Sequence, residues 1–226
     1  LDRSLVFGRH GLPLIGTGDW NDGMNRVGHG GQGESVWLAW FLCATLDAML
    51  PLAQRAADGT RKARWRDARL RIAAAIDEQA WDGQWYRRAT FDDGSWLGSQ
   101  ANAECRIDLI AQAWAVLSGA GQPQRAVTAM DAAAQQLWDT DWKLLRLLTP
   151  PLATAQPEAG YIQAYARGVR ENGGQYNHAA AWAVMAAAAL QRPDWAWDWW
   201  QHISPAHRGG DPRLRAAYGG EPYVLA

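Results

Sequence analysis

Apolar residues recur along this chain with a helical period, in segments that differ in how much of their circumference is apolar. Glu34 to about Leu50 (ESVWLAWFLCATLDAML) is apolar nearly all round, which predicts a buried helix. Arg61 to about Ala80 is two-sided. Trp65, Ala68, Ile72, Ile76 and Ala80 form one stripe, with Arg64, Asp67, Arg71 and Glu78 opposite, the pattern of an outer helix. The alternation then repeats. Glu104 to Ser118 reads as buried, and Pro123 to Leu137 as outer, with proline in its first turn. Alanine-rich Gly174 to Leu190 reads as buried, and Asp194 to Ile203, with a start at Pro193, as outer. Period-2 alternation is scarce, so few strands are expected.

Three inner–outer hairpins in sequence predict an all-α fold, an α/α toroid of helical hairpins. Six such helices make half of a twelve-helix ring. Residues 1–226 are therefore read as one partial catalytic domain covering about the C-terminal half of a barrel. The start at Leu1-Asp2-Arg3, without methionine or signal peptide, adds to that reading. Inner helices left open at a half-barrel's edge would make the chain prone to associate. A helical solenoid is the alternative, but solenoids keep a strict short repeat, and these hairpins have irregular lengths and long Gly-rich connectors.

A formal charge of −1 gives no electrostatic reason to expect nucleic acid or an anionic membrane as partner. No apolar run approaches the length of a bilayer span, so no membrane contact by this segment is expected. Cys43 and Cys105 lie in apolar helical patterns and read as buried thiols of a reducing compartment, the cytoplasm. The 15 Trp against 3 Phe change the picture more. Indoles that stack on sugar faces while donating a hydrogen bond are one explanation; filling of large helix–helix gaps is the other.

Candidate chemistry falls in three connectors, Gly8–Gly33, Trp81–Gln100 and Ala159–His178, each leading into an inner helix. The topology gathers them at one mouth. In the first, Asp19 and Asp22 flank Trp20 and Asn21 and precede Gly23. Two carboxylates beside an indole can supply a protonated acid and an orienting anion, since an apolar wall or a neighbouring negative charge favours the protonated form. They can equally be turn residues capping their own backbone. A calcium loop is excluded, because its later oxygen ligands and terminal Glu are missing at the required offsets, and no metal or organic cofactor is expected. In the third, Arg170-Glu171-Asn172-Gly173-Gly174-Gln175-Tyr176-Asn177-His178 opens an inner helix. Glycines that admit close backbone approach, a helix N-terminus, an arginine and His178 suit an anion such as phosphate. His178 can also be a satisfied core histidine. The middle connector, with Trp81-Asp82-Gly83 and Asp92-Asp93-Gly94, suits a sugar-binding rim or structural turns; turns are preferred for Asp92 and Asp93.

The runs GLPLIGTGDWNDGMNRVGHGGQGESVWLAWFL (Gly11–Leu42), WDGQWYRRATFDDG (Trp81–Gly94), GVRENGGQYNHAAAW (Gly168–Trp182) and EPYV (Glu221–Val224) closely resemble glycoside hydrolase family 94. Its members are inverting phosphorylases of β-linked glucosides, and the wording is nearest to the family's cyclic β-1,2-glucan synthase branch. The resemblance implies Asp22 as the general acid. It implies a sugar-binding turn with Trp20, Asn21 and Asp19, the last in a supporting role. Glu171 and Asn172 would line the sugar subsite, and His178, Gly173 and Gly174 the phosphate site. Inorganic phosphate is then the co-substrate and a β-glucan, by branch β-1,2-linked, the partner. A parent synthase would be membrane-anchored, with this domain in the cytoplasm. Further phosphate ligands are expected upstream and downstream, so the isolated chain is not expected to be active. A glucan hydrolase on the same barrel and a non-catalytic glucan-binding module are the competing expectations.

Overall fold

A computed structural model describes residues 1–218; the EPYV motif lies outside them. The fold is mainly helical. Three hairpins stand side by side: α1 (Val36–Arg55) with α2 (Gly59–Ala75), α3 (Leu109–Leu117) with α4 (Pro123–Leu137), and α5 (Asn177–Ala189) with α6 (Pro193–Ile203). Helices α1, α3 and α5 pack in a row, each backed by its partner. Two short helices, α7 (Pro205–Gly210) and α8 (Pro212–Tyr218), follow and were not foreseen.

Local chemistry sets the boundaries. Side-chain oxygens of Ser35, Asp58 and Asp108 accept the Leu38, Arg61 and Ile110 amides at the starts of α1, α2 and α3. Proline opens α4 and α6, where its missing N–H is unneeded, and both helices fall on their predicted bounds. Helix α1 runs on through Pro51 to Arg55, past the predicted end near Leu50, with Ala53 buried in its last turns. The predicted outer helix ends in a π-turn, Ile76–Ala80. All three inner helices start later than their apolar pattern: α1 at Val36, after Glu34 and Ser35 pair as a strand, α3 at Leu109 and α5 at Asn177. Glu104 instead accepts the amides of Ala153, Thr154 and Ala155, and the Gly174 amide is turned back onto the Arg170 carbonyl.

By length and composition α1 is apolar enough to cross a membrane, contrary to the expectation that no segment is. In the fold it is a core helix: Val36, Trp37, Trp40, Cys43 and Leu46 are buried against the neighbouring hairpins. Both cysteines are buried and free.

Among the described residues, seven two-residue strands lace the connectors together. β1 (Glu34–Ser35), β2 (Ala89–Thr90) and β3 (Trp96–Leu97) form an antiparallel sheet. Of β4 (Ile107–Asp108), β5 (Trp138–Asp139), β6 (Leu144–Leu145) and β7 (Leu148–Thr149), β4 pairs with β7 and β5 with β6. The Ser35–Ala89 register sets the middle connector beside the start of α1. The Leu147 amide donates to the Gly174 carbonyl at 2.8 Å, and the Arg26 amide to the Ala159 carbonyl at 3.1 Å. The entries to α1, α3 and α5 are thereby held at one end, as the topology predicted.

Candidate active site

Asp19 and Asp22 are three apart and live in opposite environments. Asp19 is fully buried and accepts two hydrogen bonds from Arg88, at 2.6 and 2.7 Å. It also accepts the Ser35 hydroxyl at 2.5 Å and the Asn21 amide at 3.0 Å. Burial raises its carboxyl, but the Arg88 charge and these donors outweigh burial and hold it below the ordinary value. Arg88 is itself fully buried, with its Nε 3.3 Å from Asp108 Oδ2. Burial, resisted by Arg88, pushes Asp108 up to about 6. The Asp19–Arg88–Asp108 cluster ties the first two connectors to the start of α3. The supporting role expected for Asp19 at the sugar is thereby replaced by a structural one, since every oxygen it offers is taken. The arginine was not singled out from sequence, because a lone Arg–Arg pair in a connector gives no sign of burial.

Asp22, by contrast, is exposed at the first position of a 3-10 turn, Asp22–Met24. The turn is built by Asn21, whose Oδ1 accepts the Gly23 amide at 3.1 Å. Asn21 is buried; its Oδ1 shapes the turn, and its Nδ2 donor is left unspent within the protein. Gly23 must be glycine here: a Cβ would come within 2.9 Å of Ile162 Cβ.

That contact brings in a residue the sequence reading missed. Ile162 belongs to a second 3-10 turn, Tyr161–Ala164, and the Tyr161 amide donates to Asn25 Oδ1 at 3.1 Å. Tyr161 is 46% exposed. Partial burial, then the neighbouring Tyr165, Asp22 and Glu171, push its phenol up. Tyr161 thus lies within electrostatic reach of both Asp22 and Glu171. The only sequence signal was an aromatic pair, Tyr161 and Tyr165, inside a Gly-rich connector.

Glu171 sits in a tight loop closed by the Val169–Asn172 bridge. Its side chain is 14% exposed, with Oε2 3.4 Å from Arg170 Nε. That oxygen is buried and accepts no hydrogen bond, an acceptor left unspent within the protein. Burial and the Glu171 charge push the Tyr176 phenol up. Asn172 departs from the expectation. It is buried, with Oδ1 accepting the Leu152 amide at 2.7 Å and Nδ2 donating to the Leu152 and Tyr165 carbonyls at 2.7 and 3.0 Å. It is a buried strut with both N–H donors spent on backbone carbonyls. Gly174 likewise spends its N–H on the Arg170 carbonyl at 3.1 Å, so it has none for an anion. Gly173 has φ +86 and would place a Cβ 2.9 Å from Pro151 Cγ. The loop alone is enough to require glycine there.

His178 is exposed in the first turn of α5. Trp20 Nε1 donates to its Nδ1 at 3.0 Å across 158 residues. The Trp20 ring meets Tyr176 at 5.3 Å and Trp182 at 5.5 Å. Trp20 therefore bolts the Asp22 turn to the start of α5, and its N–H is not free for a sugar hydroxyl. Other tryptophans fill helix gaps: Trp37 stacks on Trp182 at 5.9 Å, and Trp114 meets Trp182 edge-on at 5.2 Å. In the middle connector Asp92 accepts the Gly30, Gln32 and Gly33 amides, as the turn reading predicted.

The family model for the catalytic domain of the glycosyl hydrolase 94 superfamily matches residues 1–226. The chain is 49% identical over 219 residues to the cyclic beta-(1,2)-glucan synthase NdvB of Rhizobium meliloti (strain 1021), covering 97% of this chain and 8% of that protein. It is 34% identical to the solabiose phosphorylase of Paenibacillus borealis, over 96% of this chain and 28% of the relative. It is 32% identical to the N,N'-diacetylchitobiose phosphorylase of Vibrio furnissii, over 99% and 27%. The chain spans less than a third of the length of these relatives. With the match running from end to end, the chain belongs to the glycosyl hydrolase 94 superfamily and is part of its catalytic domain.

Proposed function

We propose that this chain carries the acid-bearing part of an inverting phosphorylase acting on a β-linked glucan, with β-1,2-glucan the substrate of choice. The observation that carries the reading is the joining of the Asp22 turn to the His178 loop through Trp20. In the reaction, phosphate attacks the anomeric carbon from the face opposite the leaving oxygen. That C–O bond breaks, and Asp22, exposed at its turn, gives its proton to the departing oxygen. The products are α-glucose 1-phosphate and a glucan shortened by one unit. Glu171 orders the glucosyl unit through its open oxygen, and His178 at the α5 N-terminus donates to phosphate. An inverting hydrolase needs a second carboxylate to activate water; phosphate is already an anionic nucleophile and needs only donors. We further propose that the three hairpins are about half of an α/α ring completed by other parts of the polypeptide. The ring would work in the cytoplasm, as the chain-length-controlling domain of a cyclic glucan synthase.

The preference for β-1,2-glucan rests on the 49% identity to the Rhizobium synthase. The test is incubation of the full protein with glucan, with and without phosphate. Phosphate-dependent α-glucose 1-phosphate supports the reading. Reducing-end release that ignores phosphate overturns it and casts Glu171 as the water-activating base.

A further inference from the structure

An indole N–H can only donate, so the nitrogen it meets must accept. Trp20 Nε1 lies 3.0 Å from His178 Nδ1, which fixes the ring as the neutral tautomer with its proton on Nε2. The imidazole is also held by rings: Trp182 at 4.2 Å and Trp20 at 5.6 Å between centroids. We propose that Trp20 is a positioning residue that acts through His178, locking the Nε2–H tautomer so that the exposed nitrogen always presents a donor to the phosphate oxygen. This rests on the reading of His178 as a phosphate ligand. The physical need is simple. The other tautomer turns the Nε2 lone pair towards an anion, and lone pair against anion is repulsive. A free imidazole exchanges between the two; a donor bonded at Nδ1 biases it towards the Nε2–H form. The indole is well suited to this, because unlike a carboxylate or carbonyl it cannot accept and so cannot select the opposite tautomer. It also reaches the histidine from the turn that carries Asp22, so acid and anion donor are set by one residue.

The experiment uses the full protein. The 15N shifts of 15N-histidine-labelled protein identify the tautomer in the unsubstituted molecule, and Trp20→Phe keeps a ring while removing the donor. The expected result is an Nε2–H ring that becomes a tautomer mixture in Trp20→Phe. The KM for phosphate should rise about fivefold, the loss of roughly one neutral hydrogen bond, with the KM for glucan little changed. In the His178→Gln background, where an amide has no tautomer to choose, Trp20→Phe should leave the phosphate KM where it is. An Nδ1–H ring in the unsubstituted protein, or an additive effect of the two substitutions, overturns the proposal while leaving the phosphorylase reading intact. A protein that shows the Nε2–H ring but no phosphate dependence overturns both the phosphorylase reading and the role proposed for the lock.

Discussion

Replacing either of two aspartates three residues apart should give opposite phenotypes. Asp19→Asn removes the carboxylate that accepts two Arg88 hydrogen bonds, the Ser35 hydroxyl and the Asn21 amide. It leaves a fully buried guanidinium with Asp108 as its remaining anion, at 3.3 Å. Removing one partner of a buried ion pair costs about 3–5 kcal/mol. The second anion and the acceptor that asparagine retains place this case near the lower end, about 3 kcal/mol. With a urea m-value of about 2 kcal/mol/M, the unfolding midpoint should fall by about 1.5 M. Asp22→Asn changes an exposed side chain and should stay within about 0.5 kcal/mol of the unsubstituted protein. Urea titrations followed by circular dichroism and by tryptophan fluorescence read both variants. Coincident midpoints for Asp19→Asn and the unsubstituted protein would refute the claim that the Arg88 cluster holds the turn.

Asp108 sits in the same cluster, and its carboxyl is raised from 3.8 to about 6. The folded state therefore binds this proton more tightly than the unfolded chain, and the Asp108 contribution to stability falls as pH rises from about 4 to about 6. Asp108→Asn should remove that slope, measurable as the urea midpoint against pH. Tyr161, half-exposed beside the Asp22 turn, is expected to face the glucan. Tyr161→Ala should raise the KM for glucan about five- to tenfold, the worth of an aromatic contact, with the phosphate KM unmoved, and equal rises in both would refute that expectation. Gly23→Ala drives a Cβ into Ile162, within 3.3 Å of its Cα. It should cost about 1–3 kcal/mol through overpacking, and a midpoint unchanged in urea would show that the two turns are not in contact.

Helices with a proline start and a clear stripe were legible to the residue, as α4 and α6 show. The starts of α3 and α5 were not, because Glu104 and Gly174 are claimed by partners far along the chain, at residues 153–155 and 147. The same cause separates the site residues. Asp22, Glu171 and His178 keep an open polar atom or an exposed position. Asp19, Asn172 and Gly174 look equally suitable by type and neighbourhood, yet each is spent on a backbone or charged group. Nothing within a motif reveals that Arg88 will be buried against Asp19, since the pairing depends on the Ser35–Ala89 register. Tyr161 was overlooked because its role comes from contact with a turn more than a hundred residues earlier.

The central claim, that Asp22 is the proton donor of a phosphorolytic reaction, is tested most directly by changing the leaving group. The kcat for phosphorolysis of the natural glucan should drop by about 10²–10⁴ in Asp22→Asn, the usual contribution of a general acid. A glucosyl donor whose leaving group needs no proton, such as β-glucosyl fluoride, should still give α-glucose 1-phosphate at close to the unsubstituted rate. Equal losses on both donors, or undiminished phosphorolysis of the glucan, would contradict the assignment.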